Sequence, residues 1–198
     1  MSESGAGAGA EAEVSATTAR DAVRALAAAG LTAATAESLT AGLVAARLAD
    51  VPGASAVLQG GVVAYQNSVK AGLLGVPADL LERVGAVDPE VARWMAAGAR
   101  DALGADVGVA TTGVAGPEPH QGRPVGTVWL GVAVPEDAAP ALDVLGGERR
   151  GAATAILLDL DLDLDLDGDR AAIRAATTAA ALDALARLAP RAGGPTGR

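Results

Sequence analysis

Apolar and polar positions alternate along this chain with two different periods. Val23 and Leu26 repeat at helical spacing after Thr17 or Thr18 and stop before Gly30, which predicts a first helix. "LTAATAE" then reads as a short strand, and "SLTAGLVAARLAD" as a helix that follows directly, with Ser38 or Thr40 placed to cap its free N–H groups. "AVLQGGVVAYQ" predicts a second strand and "NSVKAGLLG" a short helix capped by Asn67 or Ser68. The clearest helix is "DPEVARWMAAGARDALG": Asp88 is the cap, Pro89 takes the first position, Val91, Trp94 and Met95 share a face, and Gly104 follows the end. "DVGVATTGVAGP" is a buried strand running into a glycine-containing loop, "GTVWLGVAV" is a further strand, and "GDRAAIRAATTAAALDALARLA" is a long helix with Ile173, Leu182 and Leu185 facing inward.

Strands alternating with helices predict an α/β fold, a three-layer α/β/α sandwich on a mixed, mostly parallel sheet; the strands near 107 and 128 permit antiparallel pairing. One domain is expected from 198 residues. Residues 1–16 and 190–198 read as disordered tails, since neither buries enough apolar surface, which leaves a body of 17–189. An acidic Asp/Leu insertion occupies about 152–167.

Composition narrows the chemistry. Apolar residues make up 51% of the chain but aromatics only 2%, so Ala, Val and Leu must build the core and helices can lie close to the sheet. A net charge of −9 with scattered arginines argues against nucleic-acid binding. The absence of Cys excludes a thiolate nucleophile, and the single His excludes a histidine metal cluster within the chain. The N-terminus lacks the pattern of a signal peptide, and no long uncharged apolar run predicts a membrane span, so a cytoplasmic location without membrane contact is expected.

The ladder "LLDLDLDLDLDGD" would, as a strand, put leucines on one face and Asp159, Asp161, Asp163, Asp165 and Asp167 on the other. Residues 163–168 mimic the opening of a calcium loop, but the twelfth position, where a bidentate Glu belongs, is Arg174. A solvated acidic edge is the plainer expectation, and no metal site is expected.

Two turns carry more chemistry. "TAESLTAG" leaves a strand for a helix, where a hydroxyl and unpaired N–H groups suit an anion or a developing oxyanion, although Ser38 and Thr40 can equally be simple caps. "TTGVAGPEP" offers consecutive backbone N–H groups as a phosphate nest, and His120, in a polar loop, reads as a surface residue.

Tyr65, Asn67 and Lys70 are the only tyrosine, asparagine and lysine in the chain, and they fall within six residues. With Asn67 as cap, Lys70 occupies the third helical position, where the helix dipole disfavours a cation and lowers its pKa. A lysine so placed can accept a proton and an arginine cannot. Tyr65 can reach the same pocket to orient the lysine or relay a proton.

Together, "TAESLTAGLVAARLADVPGASAVLQGGVVAYQNSVKAGLLGV", "GAVDPEVARWMAAGAR", "ATTGVAGP" and "RPVGTVWLGVAV" resemble the CinA C-terminal domain family. The likeness runs from about 20 to 133 and resumes at 168–185. It implies a dimeric α/β/α protein that acts without cofactor or metal as a nicotinamide mononucleotide (NMN) amidohydrolase of pyridine nucleotide salvage, releasing nicotinate mononucleotide and ammonia. Carried over by motif, the catalytic group comprises Ser38, Ser55, Tyr65 and Lys70, with either serine as nucleophile. Thr40, Gly42, Thr112 and Gly113 would hold an oxyanion or the phosphate, and Arg170 or Arg174 would bind phosphate. The alternative is a nucleotide-binding or protein-interaction domain of the same family without turnover. Three departures from the family pattern stand out: "ESLTAG" for "ESCTGG", which puts Ala41 where a glycine is usual, a shortened "GPEPHQGRPVG" loop, and the aspartate-rich insertion.

Overall fold

The computed structural model describes residues 18–158 and 170–192. Most of the tails and the aspartate ladder beyond Leu158, with its calcium-like loop, lie outside the described residues. Helix α1 covers 18–29 and ends at Gly30, whose φ of 68° is the left-handed stop expected of a glycine. Then follow β1 (Ala33–Glu37), α2 (Leu43–Ala49), β2 (Leu58–Val63), α3 (Asn67–Leu74), α4 (Ala78–Val84), α5 (Pro89–Leu103), β3 (Val107–Gly113), β4 (Val128–Ala133), β5 (Glu148–Arg150), β6 (Ala153–Leu157) and α6 (Arg170–Ala192).

One six-stranded sheet has the order β2-β1-β3-β4-β6-β5. It is mixed, as the alternation predicts: β2, β1, β3 and β6 run in one direction and β4 and β5 in the other, with β2-β1-β3 paired parallel and β3-β4, β4-β6 and β6-β5 paired antiparallel. The reason is connection length. Parallel neighbours need a crossover segment, here α2 and then α3 to α5, whereas β3 reaches β4 through a loop and β5 reaches β6 through a tight turn at Gly151. Strand β6 falls inside the segment read as an insertion, and α6 continues to Ala192, past the expected limit at 189.

The sheet's two faces differ in the size of their side chains. Toward α1, α2 and α6 point Val107, Val109, Leu130 and Val132, packed against Leu26, Leu48, Leu182 and Leu185. Toward α3 to α5 point Ala34, Ala36, Ala110 and Ala133, with Gly108 and Gly131 between them in the strands. Helix α5 therefore approaches closely: a methyl on Gly108 would lie 1.9 Å from the Ala96 carbonyl oxygen, and one on Gly131 2.1 Å from that of Ala92. This is the close helix–sheet contact expected of an alanine-rich core.

Helix α5 has the predicted ends. Asp88 caps it by accepting from Glu90 N–H at 2.8 Å, Pro89 opens it and Gly104 closes it. Val91 and Met95 are fully buried, but Trp94 is 41% exposed, because it sits at the margin of the apolar stripe, where an indole is too large to cover.

Candidate active site

After β1 the chain turns toward α2 on one face, and after β2 it turns toward α3 on the other, so a crevice opens at the carboxyl ends of the parallel strands. A cavity of about 460 Å³ occupies it. Ser38, Tyr65, Asn67, Lys70, Thr112, Gly113 and Arg170 line it, and the β3–β4 loop adds Glu118, His120 and Gln121.

Lys70 lies in the second turn of α3 and is 1% exposed. Its Nζ donates to the carbonyl oxygens of Ala64 at 2.7 Å and Tyr65 at 3.0 Å, and to Ser38 Oγ at 3.2 Å. Desolvation by burial lowers its pKa from 10.5 to about 8. The direction is the one expected from the sequence, but its cause differs. Asn67 is not the cap: Gln66 takes that position, with no side-chain hydrogen bond, and Asn67 is the first helical residue. Lys70 is then fourth, and burial takes the place of the helix dipole as the cause.

The geometry separates the two serines. Ser38 directly follows β1 at the carboxyl edge of the sheet and faces Lys70. Ser55 is exposed on the short 3-10 turn Ala54–Ala56 that precedes β2. Because β1 and β2 are parallel, it lies at the opposite edge, roughly 16 Å away by the rise of a five-residue strand. Ser55 is not among the residues lining the cavity.

Tyr65 lines the cavity but does not present its phenol to Lys70; its backbone carbonyl accepts from the lysine, while its hydroxyl accepts from Arg170 Nη2 at 2.8 Å. Arg170 also donates to Gly116 O at 2.9 Å, joining the start of α6 to the β3–β4 loop at the cavity wall. Arg174, one turn on, is used differently: Nε donates to Leu39 O at 2.9 Å and Nη2 to Thr40 O at 3.1 Å.

The α2 terminus also differs from expectation. Neither Ser38 nor Thr40 caps it; α2 begins only at Leu43, behind Gly42 with φ 97° and no side-chain cap of its own. The side chain that takes the free N–H groups is Glu37, which is 1% exposed and accepts from Gly42 N–H at 2.8 Å, Val44 N–H at 3.1 Å and Ala45 N–H at 2.9 Å. The Thr40 hydroxyl and the Gly42 N–H therefore serve Glu37, which takes these N–H groups at the start of α2. Thr40 Oγ1 donates to Glu37 at 2.7 Å, so its 2.8 Å contact with Thr111 Oγ1 must be donated by Thr111.

On the other side of the cavity, Thr112 is buried and donates to Ala86 O at 2.7 Å, while Ala86 N–H donates to Gln121 Oε1 at 3.1 Å. Those bonds fix the wall to which Gly113 belongs. His120 is exposed, as expected, yet it stands at the cavity, held by reciprocal backbone bonds with Arg123 at 3.1 and 2.9 Å.

Glu37 is the residue of this site that motif spacing does not reveal. A carboxylate at the end of the otherwise small, wholly buried strand "AATAE" is its only signal.

The sequence model of the CinA C-terminal domain matches residues 15–159. A competence/damage inducible protein of Agrobacterium tumefaciens is 34% identical, with a TM-score of 0.74 and 88% of this chain and 95% of that one covered. A CinA-superfamily protein of Escherichia coli is 28% identical at TM-score 0.74, covering 88% and 90%. A putative competence-damage inducible protein of Desulforamulus reducens is 60% identical over 89 residues, which is 45% of this chain and 22% of that protein. A CinA-like protein of Frankia casuarinae is 58% identical over 90 residues, 46% and 21% respectively. The matched part thus spans about a fifth of the length of these curated relatives. Among the described residues no helix is long and apolar enough to cross a membrane.

Proposed function

The chain belongs to the CinA C-terminal domain family, and we propose that its cavity hydrolyses the carboxamide of NMN to nicotinate mononucleotide and ammonia. The observation that carries this reading is the 3.2 Å approach of Lys70 Nζ to Ser38 Oγ, with Lys70 buried and its pKa brought to about 8. A neutral amine has two N–H bonds and one lone pair. Here the Ala64 and Tyr65 carbonyls take the two protons, which leaves the lone pair toward the serine.

In the proposed cycle, Ser38 Oγ attacks the amide carbon while Lys70 takes the hydroxyl proton. Collapse of the tetrahedral intermediate breaks the C–N bond, and the ammonium of Lys70 returns that proton to the departing nitrogen, giving ammonia and an acyl-serine. Water then attacks the acyl carbon with Lys70 again as base, and the ester breaks to give the carboxylate and free Ser38. Arg170, at the cavity wall where it donates to the Tyr65 hydroxyl and the Gly116 carbonyl among the described residues, is the cation for the phosphate.

Because protonated Lys70 cannot accept a proton, activity rises with pH through about 8 and levels above it. Tyr65, Glu118, His120 and Arg170 are the other titratable groups lining the cavity. The test is ammonia and nicotinate mononucleotide formation from NMN by wild type, Lys70→Ala and Lys70→Arg. Both variants are expected to lose activity by at least about a hundredfold. Full activity in Lys70→Arg would remove Lys70 as the base, and NMN binding by wild type without ammonia release would make the protein a nucleotide binder.

A further inference from the structure

Glu37 takes no part in that proton transfer, yet it is the anchor of the turn that carries the nucleophile. One carboxylate oxygen accepts from Thr35 Oγ1 at 3.1 Å and from Ala45 N–H; the other accepts from Thr40 Oγ1, Gly42 N–H and Val44 N–H. Arg174 holds the same turn from α6, taking the carbonyls of Leu39 and Thr40. Residues 38–42 are thus gripped by both polarities, donors by a carboxylate and acceptors by a guanidinium.

The turn needs that grip. Ala41 has φ 52°, a left-handed conformation that costs an alanine free energy and persists only where its surroundings impose it. Ser38 stands between the two anchored neighbours, and its own N–H donates to Thr111 O at 2.9 Å. Its hydroxyl can therefore stay on Lys70 only while the turn keeps its shape.

We infer that Glu37 and Arg174 are positioning residues for Ser38, holding the 38–42 turn so that the serine hydroxyl stays on Lys70 Nζ, and that Arg174 does not contact substrate. This rests on the site acting as a serine–lysine amidohydrolase. It also divides the two arginines of α6: Arg170 serves the ligand and Arg174 serves the turn.

The test uses the full chain with Arg174→Met, Glu37→Gln and, as comparator, Arg170→Met. Two readouts are taken: kcat and KM for ammonia release from NMN, and the titration of Lys70, the only lysine in the chain, followed by its 13Cε resonance in lysine-labelled protein. For Arg174→Met and Glu37→Gln, kcat falls about 10- to 100-fold with KM within about threefold of wild type. Lys70 then titrates above about 8, toward 10.5, as the loosened turn admits water. Arg170→Met instead raises KM and leaves the Lys70 titration in place.

A higher KM with unchanged kcat in Arg174→Met would make Arg174 a substrate ligand and overturn the inference. Wild-type kcat and an unmoved Lys70 titration in the clamp variants would overturn it too. If wild type releases no ammonia, the amidohydrolase reading fails separately, and the lysine titration alone decides the clamp: a shifted midpoint supports it and an unmoved one overturns it. Should Glu37→Gln lose its cooperative thermal transition, Arg174→Met, at a partly exposed position, carries the test.

Discussion

The turn after β1 and the loop after β3 look alike on paper. Each leaves a parallel strand, each carries threonine and glycine, and each borders the cavity. They are built differently. The 38–42 turn is held by its own protein: Glu37 takes the Gly42, Val44 and Ala45 N–H groups, and Arg174 takes the Leu39 and Thr40 carbonyls. The 114–127 loop is closed at its base by Val114 N–H to Thr127 O and Gly126 N–H to Val114 O, each 2.9 Å, is tied further out at Gly116, His120 and Gln121, and turns Glu118, His120 and Gln121 toward the cavity. The lesson is that a positive helix end is an anion site only when no internal anion has taken it. On the proposed reading, the held turn positions Ser38 and the loop borders the space a ligand would enter.

The largest expected effect contrasts the serine in the held turn with its sequence rival. Ser38→Ala should lower kcat by roughly a thousandfold or more, and Ser55→Ala should leave it within about twofold, measured as ammonia release from NMN. Equal loss in both would erase the distinction between the two edges of the sheet.

Next comes what the buried base costs the fold. Unfolded, Lys70 holds its proton up to 10.5; folded, it releases it near 8. Between those values the unfolded chain binds more protons, so stability attributable to Lys70 rises with pH by about 3 kcal/mol in total, and it is flat below 8. Denaturant melts from pH 7 to 10.5 should show this rise in wild type and lack it in Lys70→Met.

The threonines measure the two turns against each other. Thr40→Val removes a donor to the buried carboxylate and the acceptor for Thr111, and should cost about 2–3 kcal/mol. Thr112→Val on the β3 side removes one bond to Ala86 O and should cost about 1 kcal/mol. Chemical denaturation of both decides it; the reverse order would mean that the held turn is not the tighter one. Smallest is Ala41→Gly, which relieves the left-handed alanine and should stabilise by about 0.5–1 kcal/mol in the same assay.

How much of this was legible in the sequence follows from the range of each interaction. The ends of α5 are local, set by Asp88, Pro89 and Gly104, and they were readable. The sandwich was readable because apolar periods alternate, but strands β5 and β6 were not, since "ERR" and "ATAIL" are short and one of them is charged. At the site, Lys70 stands out as the only lysine, but the cause of its lowered pKa is not legible, because burial depends on contacts that spacing does not reveal. Ser38 and Ser55 could not be separated, since a motif does not say which edge of the sheet it reaches. Glu37 was missed because capping from five residues upstream of Gly42 needs the turn to fold back first.

The most direct test of the account is the titration of Lys70 in the native wild-type chain, where a lysine label reports a single side chain. A 13Cε midpoint near 8, moving to about 10.5 on unfolding, is the result predicted for a base held against Ser38. A native midpoint at 10.5 would leave Lys70 a cation throughout the working range and contradict its role.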